Sequence, residues 1–219
     1  MKTRNRFGLL TSLGLVAVLG IGTAMMNPPA QRGTPGKGEQ DAKAEIGKEA
    51  PDFTLKDIDG KECKLSDLKG KNVVLQWINP QCPVCVRVSS GGLVAQMRKE
   101  LKTLDKEVVH LAINSTRNMT AEDSVKYLKA NKLEDLVALD DSAGAVGRLY
   151  GAKTTPHIFV IDAKGVLRYQ GAFDDDPSGR KDTKINYAVN SLRQILAGET
   201  VVPEKTQSYG CPVKYDNRK

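Results

Sequence analysis

The sequence predicts an α/β domain. Short runs of apolar and β-branched residues alternate with stretches at helical spacing. Val73 to Ile78 is a near-continuous apolar run, as a central strand covered on both faces requires. Ile185, Val189, Leu192 and Leu196 recur at the spacing of one helical face.

The chain of 219 residues suits one domain with short additions. Its 40% hydrophobic and 27% charged residues are an ordinary globular balance, and 5% aromatic is too few for a base-stacking platform. The net charge of +7 is spread without a basic block, which indicates a solvated surface rather than a nucleic-acid site.

Lys2, Arg4 and Arg6 precede an uncharged run from Phe7 to Met26, with small residues Gly22 and Ala24 suited to a cleavage site. Residues 1–26 therefore read as a signal peptide or an N-terminal membrane anchor, and the expected location is exported, periplasmic or otherwise extracytoplasmic. Residues 27–45, with Pro28, Pro29, Gly33, Pro35, Gly36 and Gly38, read as a flexible linker. The domain is expected over 46–200 and a short polar tail over 201–219.

Asp59-Gly60 signals a turn between strands Phe53–Ile58 and Cys63–Leu65, an N-terminal β-hairpin. Val73–Ile78 is the next strand. A helix is expected from Pro83 to about Leu104, since proline fits the first helical turn. Val108–Ile113 is a strand. Thr120 to Asp123 resembles a capping box opening a helix to about Lys132. Leu136–Leu139 is a short strand, followed by a short helix capped by Asp141 or Ser142 and ending by Gly151. His157–Ile161 and Val166–Gln170 flank the turn Lys164-Gly165, and residues 185–197 form the last helix.

Cys82-Pro83-Val84-Cys85 falls between a buried strand and a helix. A helix start presents unpaired N–H groups and partial positive charge, which stabilise a thiolate there. Cys82, expected at the exposed helix edge, is the candidate attacking thiol. Cys85, one turn deeper, is the candidate resolving thiol. A zinc site would need a second pair at ligand spacing, and Cys63 and Cys211 stand alone. A structural disulfide is the remaining plain reading.

Val73 to Cys85, Gly47 to Leu55, Asp59-Gly60-Lys61 and Leu65 to Lys71 together resemble the thioredoxin-like superfamily, in its redoxin and peroxiredoxin-like branch. That resemblance covers about residues 46–200. It implies a thioredoxin-like fold with a central mixed β-sheet, helices on both faces, and a bacterial exported thiol–disulfide oxidoreductase. It also implies a cis-proline loop at Thr154-Thr155-Pro156 facing the cysteines, with Thr155 and Pro156 leaving a backbone edge free for substrate. Trp77, Asn79 and Pro83 with Gly171 to Asp175 and the tail Tyr209 to Lys214 resemble a peroxiredoxin-like subgroup. There a cysteine at the helix start is accompanied by one in the tail, here Cys211; Cys85 is an addition to that pattern.

The resemblance leaves three functions. The first is thiol–disulfide exchange with protein or small-molecule disulfides, served by a reducing thiol protein and no cofactor. The second is hydroperoxide reduction with Cys85 or Cys211 resolving. Peroxiredoxins place a hydroxyl residue three positions before the cysteine and a proline four before that; here Asn79 and Leu75 stand there. The third is copper binding through Cys82, Cys85 and His157, since soft thiolates select copper; the favoured reading carries no metal. Trp77 is expected to pack under the active helix, and Arg87 to lie on a solvated helix face. Asp174 to Asp176 are expected in a solvated loop, His110 as a satisfied core residue, and Cys63 as a small buried residue or a partner of Cys211.

Overall fold

A computed structural model describes residues 43–216 except Thr183. The expected signal or anchor segment and nearly all of the expected linker lie outside the described residues. Chain order is β1 (Thr54–Lys56), β2 (Glu62–Lys64), β3 (Val73–Trp77), α1 (Pro83–Ser90), α2 (Leu93–Leu104), β4 (Val109–Asn114), α3 (Ala121–Ala130) and β5 (Val137–Asp140). Then come α4 (Ala145–Tyr150), β6 (Thr154–Thr155), β7 (His157–Ile161), β8 (Leu167–Gly171), α5 (Tyr187–Leu196) and β9 (Cys211–Pro212).

Seven strands form one mixed sheet in the order β2-β1-β5-β4-β3-β7-β8, and β6 with β9 forms a separate pair. β3, β4 and β5 are parallel, while β7 runs antiparallel to β3 and β8 to β7. The N-terminal hairpin β1–β2 joins the sheet through Lys56 opposite Asp140.

All five residues of β3 are buried, because each sheet face carries its own core. Val74 and Ile78 face one core with Val88 of α1, Met97 and Leu101 of α2, Leu128 of α3 and Leu192 of α5. Val73, Leu75 and Trp77 face the other core, with Phe53, Leu65, Tyr150 of α4 and Phe159.

The single helix expected over 83–104 is two helices. Gly92 adopts φ 74, a left-handed conformation that ends one helix and opens the next, and Gln96 N–H donates back to its carbonyl at 2.9 Å. The box at α3 is complete: Thr120 Oγ1 accepts from Asp123 N–H at 3.2 Å, and Asp123 Oδ2 accepts from Thr120 N–H at 3.0 Å. Gly144 rather than Asp141 or Ser142 occupies the α4 cap position. Asp141 still serves that helix, accepting from Val146 and Gly147 N–H at 3.1 and 2.7 Å. In α5, Asn186 is the cap and Ile185 lies outside the helix, 51% exposed.

Ordered packing crosses both boundaries drawn on composition. Ala44 N–H already donates to Leu149 at 3.1 Å. At the other end Val201 is buried, and Gln170 exchanges backbone hydrogen bonds with Glu204 and Thr206 at 3.1 and 3.2 Å. The described residues after 200 therefore pack on the domain through Val201, Glu204 and Thr206.

Candidate functional site

β3 ends at Trp77, and Ile78 N–H still reaches Ile113 at 2.9 Å, so the turn leaves from a fixed strand end. Asn79 organises that turn: its Oδ1 accepts from Gln81 N–H at 2.8 Å, and its carbonyl accepts from Cys82 N–H at 2.9 Å. Cys82 is the cap residue of α1 with extended backbone (φ −82, ψ 118), and Pro83 follows at the first helical position. Cys85, one turn on, points into the core and is fully buried. Tyr127 of α3 fixes this turn from behind, donating to the Cys85 carbonyl at 2.8 Å and sharing a 2.7 Å hydrogen bond with Ser89 Oγ.

The Thr155–Pro156 peptide is cis. Thr155 O lies 2.9 Å from Cys82 Sγ, so the proline loop and the helix start face each other. The edge expected to be free is occupied. β9 pairs with β6 in antiparallel register, Cys211 opposite Thr155 and Pro212 opposite Thr154. Cys211 thus stands beside the carbonyl that meets Cys82 Sγ. In consequence Cys82 is only 1% exposed, contrary to the expected exposed helix edge.

Burial alone would raise a thiol pKa. Cys82 is nevertheless pulled below the ordinary value, to about 4, first by the hydrogen bond from the Cys85 side chain. The Cys85 backbone, Thr155 and Cys211 add further hydrogen bonds. Cys85 is pushed well above the ordinary range by burial and by holding its proton against Cys82. Cys211 is raised by the same hydrogen bond to Cys82. The shifts run in opposite directions, Cys82 toward thiolate and Cys85 and Cys211 toward thiol. The carbonyl of Thr155 is the opposing contact, because it accepts from the protonated form of Cys82.

Several expected neighbours lie elsewhere. Trp77 is not under the active helix: strand alternation turns it to the opposite face, where Nε1 donates to Ser115 Oγ at 2.9 Å and the ring meets Tyr150 and Phe159. Cys63 sits on β2 in that second core, while Cys211 packs on the first, so the two are separated by the sheet. His157 Nδ1 accepts from Lys153 N–H at 3.2 Å, and burial lowers its pKa to about 4. His110 is only partly satisfied: Nε2 meets Gln76 Oε1 at 3.1 Å, while the buried Nδ1 has no partner.

Arg87 is tied to the carbonyls of Asp176 and Pro177 at 3.5 and 3.3 Å rather than free on a helix face. Asp174 and Asp176 are buried, contrary to a solvated loop. Asp176 accepts from Ser178, Arg180 and Lys181, and Asp174 from Asp176 N–H and the Tyr209 hydroxyl. Tyr209 and Gly210 enter the sequence reading only within the tail that resembles the subgroup, without a role, and Tyr127 does not enter it; their partners lie far along the chain.

The sequence profile of the AhpC/TSA family matches residues 46–170, more than half of the chain. The chain belongs to the AhpC/TSA family. Among similar proteins is the thiol-disulfide oxidoreductase ResA of Bacillus thuringiensis subsp. konkukian. It is 32% identical over 127 residues, 58% of this chain and 69% of that protein. Mouse Peroxiredoxin-2 is 36% identical over 150 residues, 63% of this chain and 73% of that protein. A solved hypothetical protein from Sinorhizobium meliloti 1021 matches with TM-score 0.70 and 26% identity, covering 80% of this chain and 97% of that one. The thioredoxin domain of a Bacteroides vulgatus thiol-disulfide oxidoreductase shares the fold, with TM-score 0.53 and 20% identity. This AhpC/TSA chain is accordingly a thioredoxin-like redoxin and a thiol-dependent redox enzyme.

Proposed function

We propose that this AhpC/TSA enzyme is a thiol–disulfide oxidoreductase in which Cys82 attacks and Cys85 resolves. The observation that carries the reading is the placement of the two sulfurs at the start of α1: Cys82 caps the helix 2.9 Å from Thr155 O and Cys85 lies buried one turn on, which favours thiolate at the first and thiol at the second. The Cys82 thiolate attacks one sulfur of a substrate disulfide, and the bonding pair leaves on the other sulfur. Cys85 then gives up its proton and attacks Cys82. The Cys82–Cys85 bond forms, and the substrate leaves with two electrons gained, one proton coming from Cys85 and the second from solvent. A reducing thiol protein returns the enzyme to its dithiol form, and sulfur alone carries the chemistry. Thr155 and the cis Pro156 supply the wall against which the substrate strand lies.

Peroxide reduction would use the same thiolate, and the likeness to Peroxiredoxin-2 keeps it as the competing reading. It is disfavoured by the neighbours of Cys82. Asn79 and Leu75 stand where peroxiredoxins place a hydroxyl residue and a proline, and Arg87 donates to the loop carbonyls of Asp176 and Pro177. We place the reaction outside the cytoplasm, on the strength of the basic and uncharged segments at 2–26.

The test is Cys85→Ser incubated with a disulfide-bonded protein. Mixed disulfides through Cys82 should accumulate. Rapid substrate release from that variant, or peroxide consumption that survives loss of Cys85 but not of Cys211, would overturn the proposal.

A further inference from the structure

The cations of this chain are scattered in sequence, yet the fold brings several of them to the edge where a substrate strand would pair. An extended peptide joins a sheet edge by main-chain hydrogen bonds, and register places its side chains. β9 shows that register on β6. Cys211 stands opposite Thr155, whose carbonyl lies 2.9 Å from Cys82 Sγ, and Pro212 stands opposite Thr154. A substrate strand that takes the place of β9 sets its reacting cysteine where Cys211 stands. The next three residues then follow the path of Pro212, Val213 and Lys214.

That path runs between two exposed cationic residues. Val213 N–H donates to Lys153 O at 3.0 Å, and Arg117 N–H donates to Lys214 O at 2.9 Å. Lys205, also exposed, is bridged to Gln170 of β8. Burial lowers the pKa of His157, which follows Pro156, and Lys153 and Lys205 lower it further. Among the described residues no carboxylate forms an ion pair with Arg117, Lys153, Lys205 or Lys214. The acids of the nearby loop are already engaged. Asp174 is buried and accepts from the Tyr209 hydroxyl, while Asp175 and Asp176 pair with Lys181 and Lys184 at 2.6 and 3.4 Å. Along the path Pro212 and Lys214 are exposed, and Val213 between them packs against the second core.

We propose that the enzyme selects acidic substrate strands, in which acidic residues stand first and third after the reacting cysteine and an apolar residue stands between them. The proposal rests on thiol–disulfide exchange at Cys82. Carboxylates at the two exposed positions meet the field of Arg117, Lys153 and Lys205. Opposite charges on paired strands are favourable and like charges are not. A potential of one sign around the site also speeds encounter with a partner of the other sign. The apolar side chain takes the place of Val213 on the second core. The tail itself carries Pro212 and Lys214 at the exposed positions and offers these cations no acid. An acidic strand is therefore the better electrostatic match for β6, which favours it in displacing β9.

The test uses the reduced full chain and three extended peptides, each carrying one cysteine as its mixed disulfide with thiopyridine. The cysteine is followed by Glu-Val-Glu, Gln-Val-Gln or Lys-Val-Lys. Release of thiopyridone reports attack by Cys82, with Cys82→Ser as the blank. Each rate is divided by that of the same peptide with mercaptoethanol, which removes the intrinsic effect of the flanking charges. At low salt the normalised rates should fall in the order Glu, Gln, Lys, with about tenfold between the ends. In about 0.5 M NaCl the spread should shrink below about twofold, because screening leaves a range of only a few ångströms. Lys153→Glu should cut the low-salt ratio of Glu to Lys peptide by about threefold or more, and Arg117→Glu should cut it as well. Equal rates for the Glu and Lys peptides, a spread that salt leaves intact, or an unchanged ratio in either variant overturns the proposal. In each of those cases reaction of the Gln peptide above the blank leaves the proposed function standing. If no peptide releases thiopyridone faster than the blank, the proposed function itself fails.

Discussion

The ionisation of Cys82 is the property most directly open to measurement, and hydrogen bonds set its size. An ordinary thiol with pKa about 8.5 is roughly 1% ionised at pH 6.5. Cys82, pulled down to about 4, is essentially all thiolate at that pH. The leading cause is the Cys85 side chain, a donor to a charged acceptor. Such a bond is worth about 1.5–3 kcal/mol, and one pKa unit corresponds to about 1.4 kcal/mol. Cys85→Ala should therefore raise the Cys82 midpoint by about one to two pH units. Cys85→Ser, which keeps a donor, should raise it less. The assay is thiolate absorbance near 240 nm against pH on the reduced protein, with Cys82→Ser as the blank. A wild-type Cys82 midpoint between about 8 and 9 would refute the reasoning, because that is where an unassisted thiol titrates. So would an unchanged midpoint in Cys85→Ala. The sign of the linked stability follows. A depressed native pKa contributes stability above the unfolded value that is lost as pH falls toward the native one. The reduced protein should therefore lose stability relative to Cys82→Ser between about pH 9 and pH 4.

Two further outcomes test the scaffold. Tyr127→Phe removes two hydrogen bonds buried in the core, those with the Cys85 carbonyl and Ser89 Oγ, and should cost about 1–3 kcal/mol in urea unfolding, with unchanged dependence on denaturant. Gly92→Ala forces a Cβ into a left-handed residue with nothing within 4 Å, so strain alone should cost about 1–2 kcal/mol, and a neutral result would remove the reason given for the break between α1 and α2.

What the sequence revealed is what short-range patterns encode. Strand β3, the hairpin at Asp59-Gly60 and the box at Thr120 each follow from neighbours within a few residues. The strand-to-helix placement of Cys82 and Cys85 is local too. Gly91-Gly92 was a legible break that helical periodicity on either side concealed. The face of Trp77 was half legible: alternation opposes it to Val74 and Ile78, but which face carries α1 is decided by the chain's crossover. Asp174 and Asp176 read as solvated because composition does not register carboxylates turned inward onto their own loop's N–H groups. The docking of the tail was hidden altogether, since Gly210 and Thr155 are neighbours only in the folded chain.

That hidden contact changes how burial and ionisation at Cys82 fit together. A sulfur 1% exposed should resist charge, yet hydrogen bonds overcome the desolvation. Two of the donors are the thiols of Cys85 and Cys211, and Cys85 is the proposed disulfide partner of Cys82. Cover by the tail thus limits access to the nucleophile, while the hydrogen bonds around it, rather than water, hold its charge.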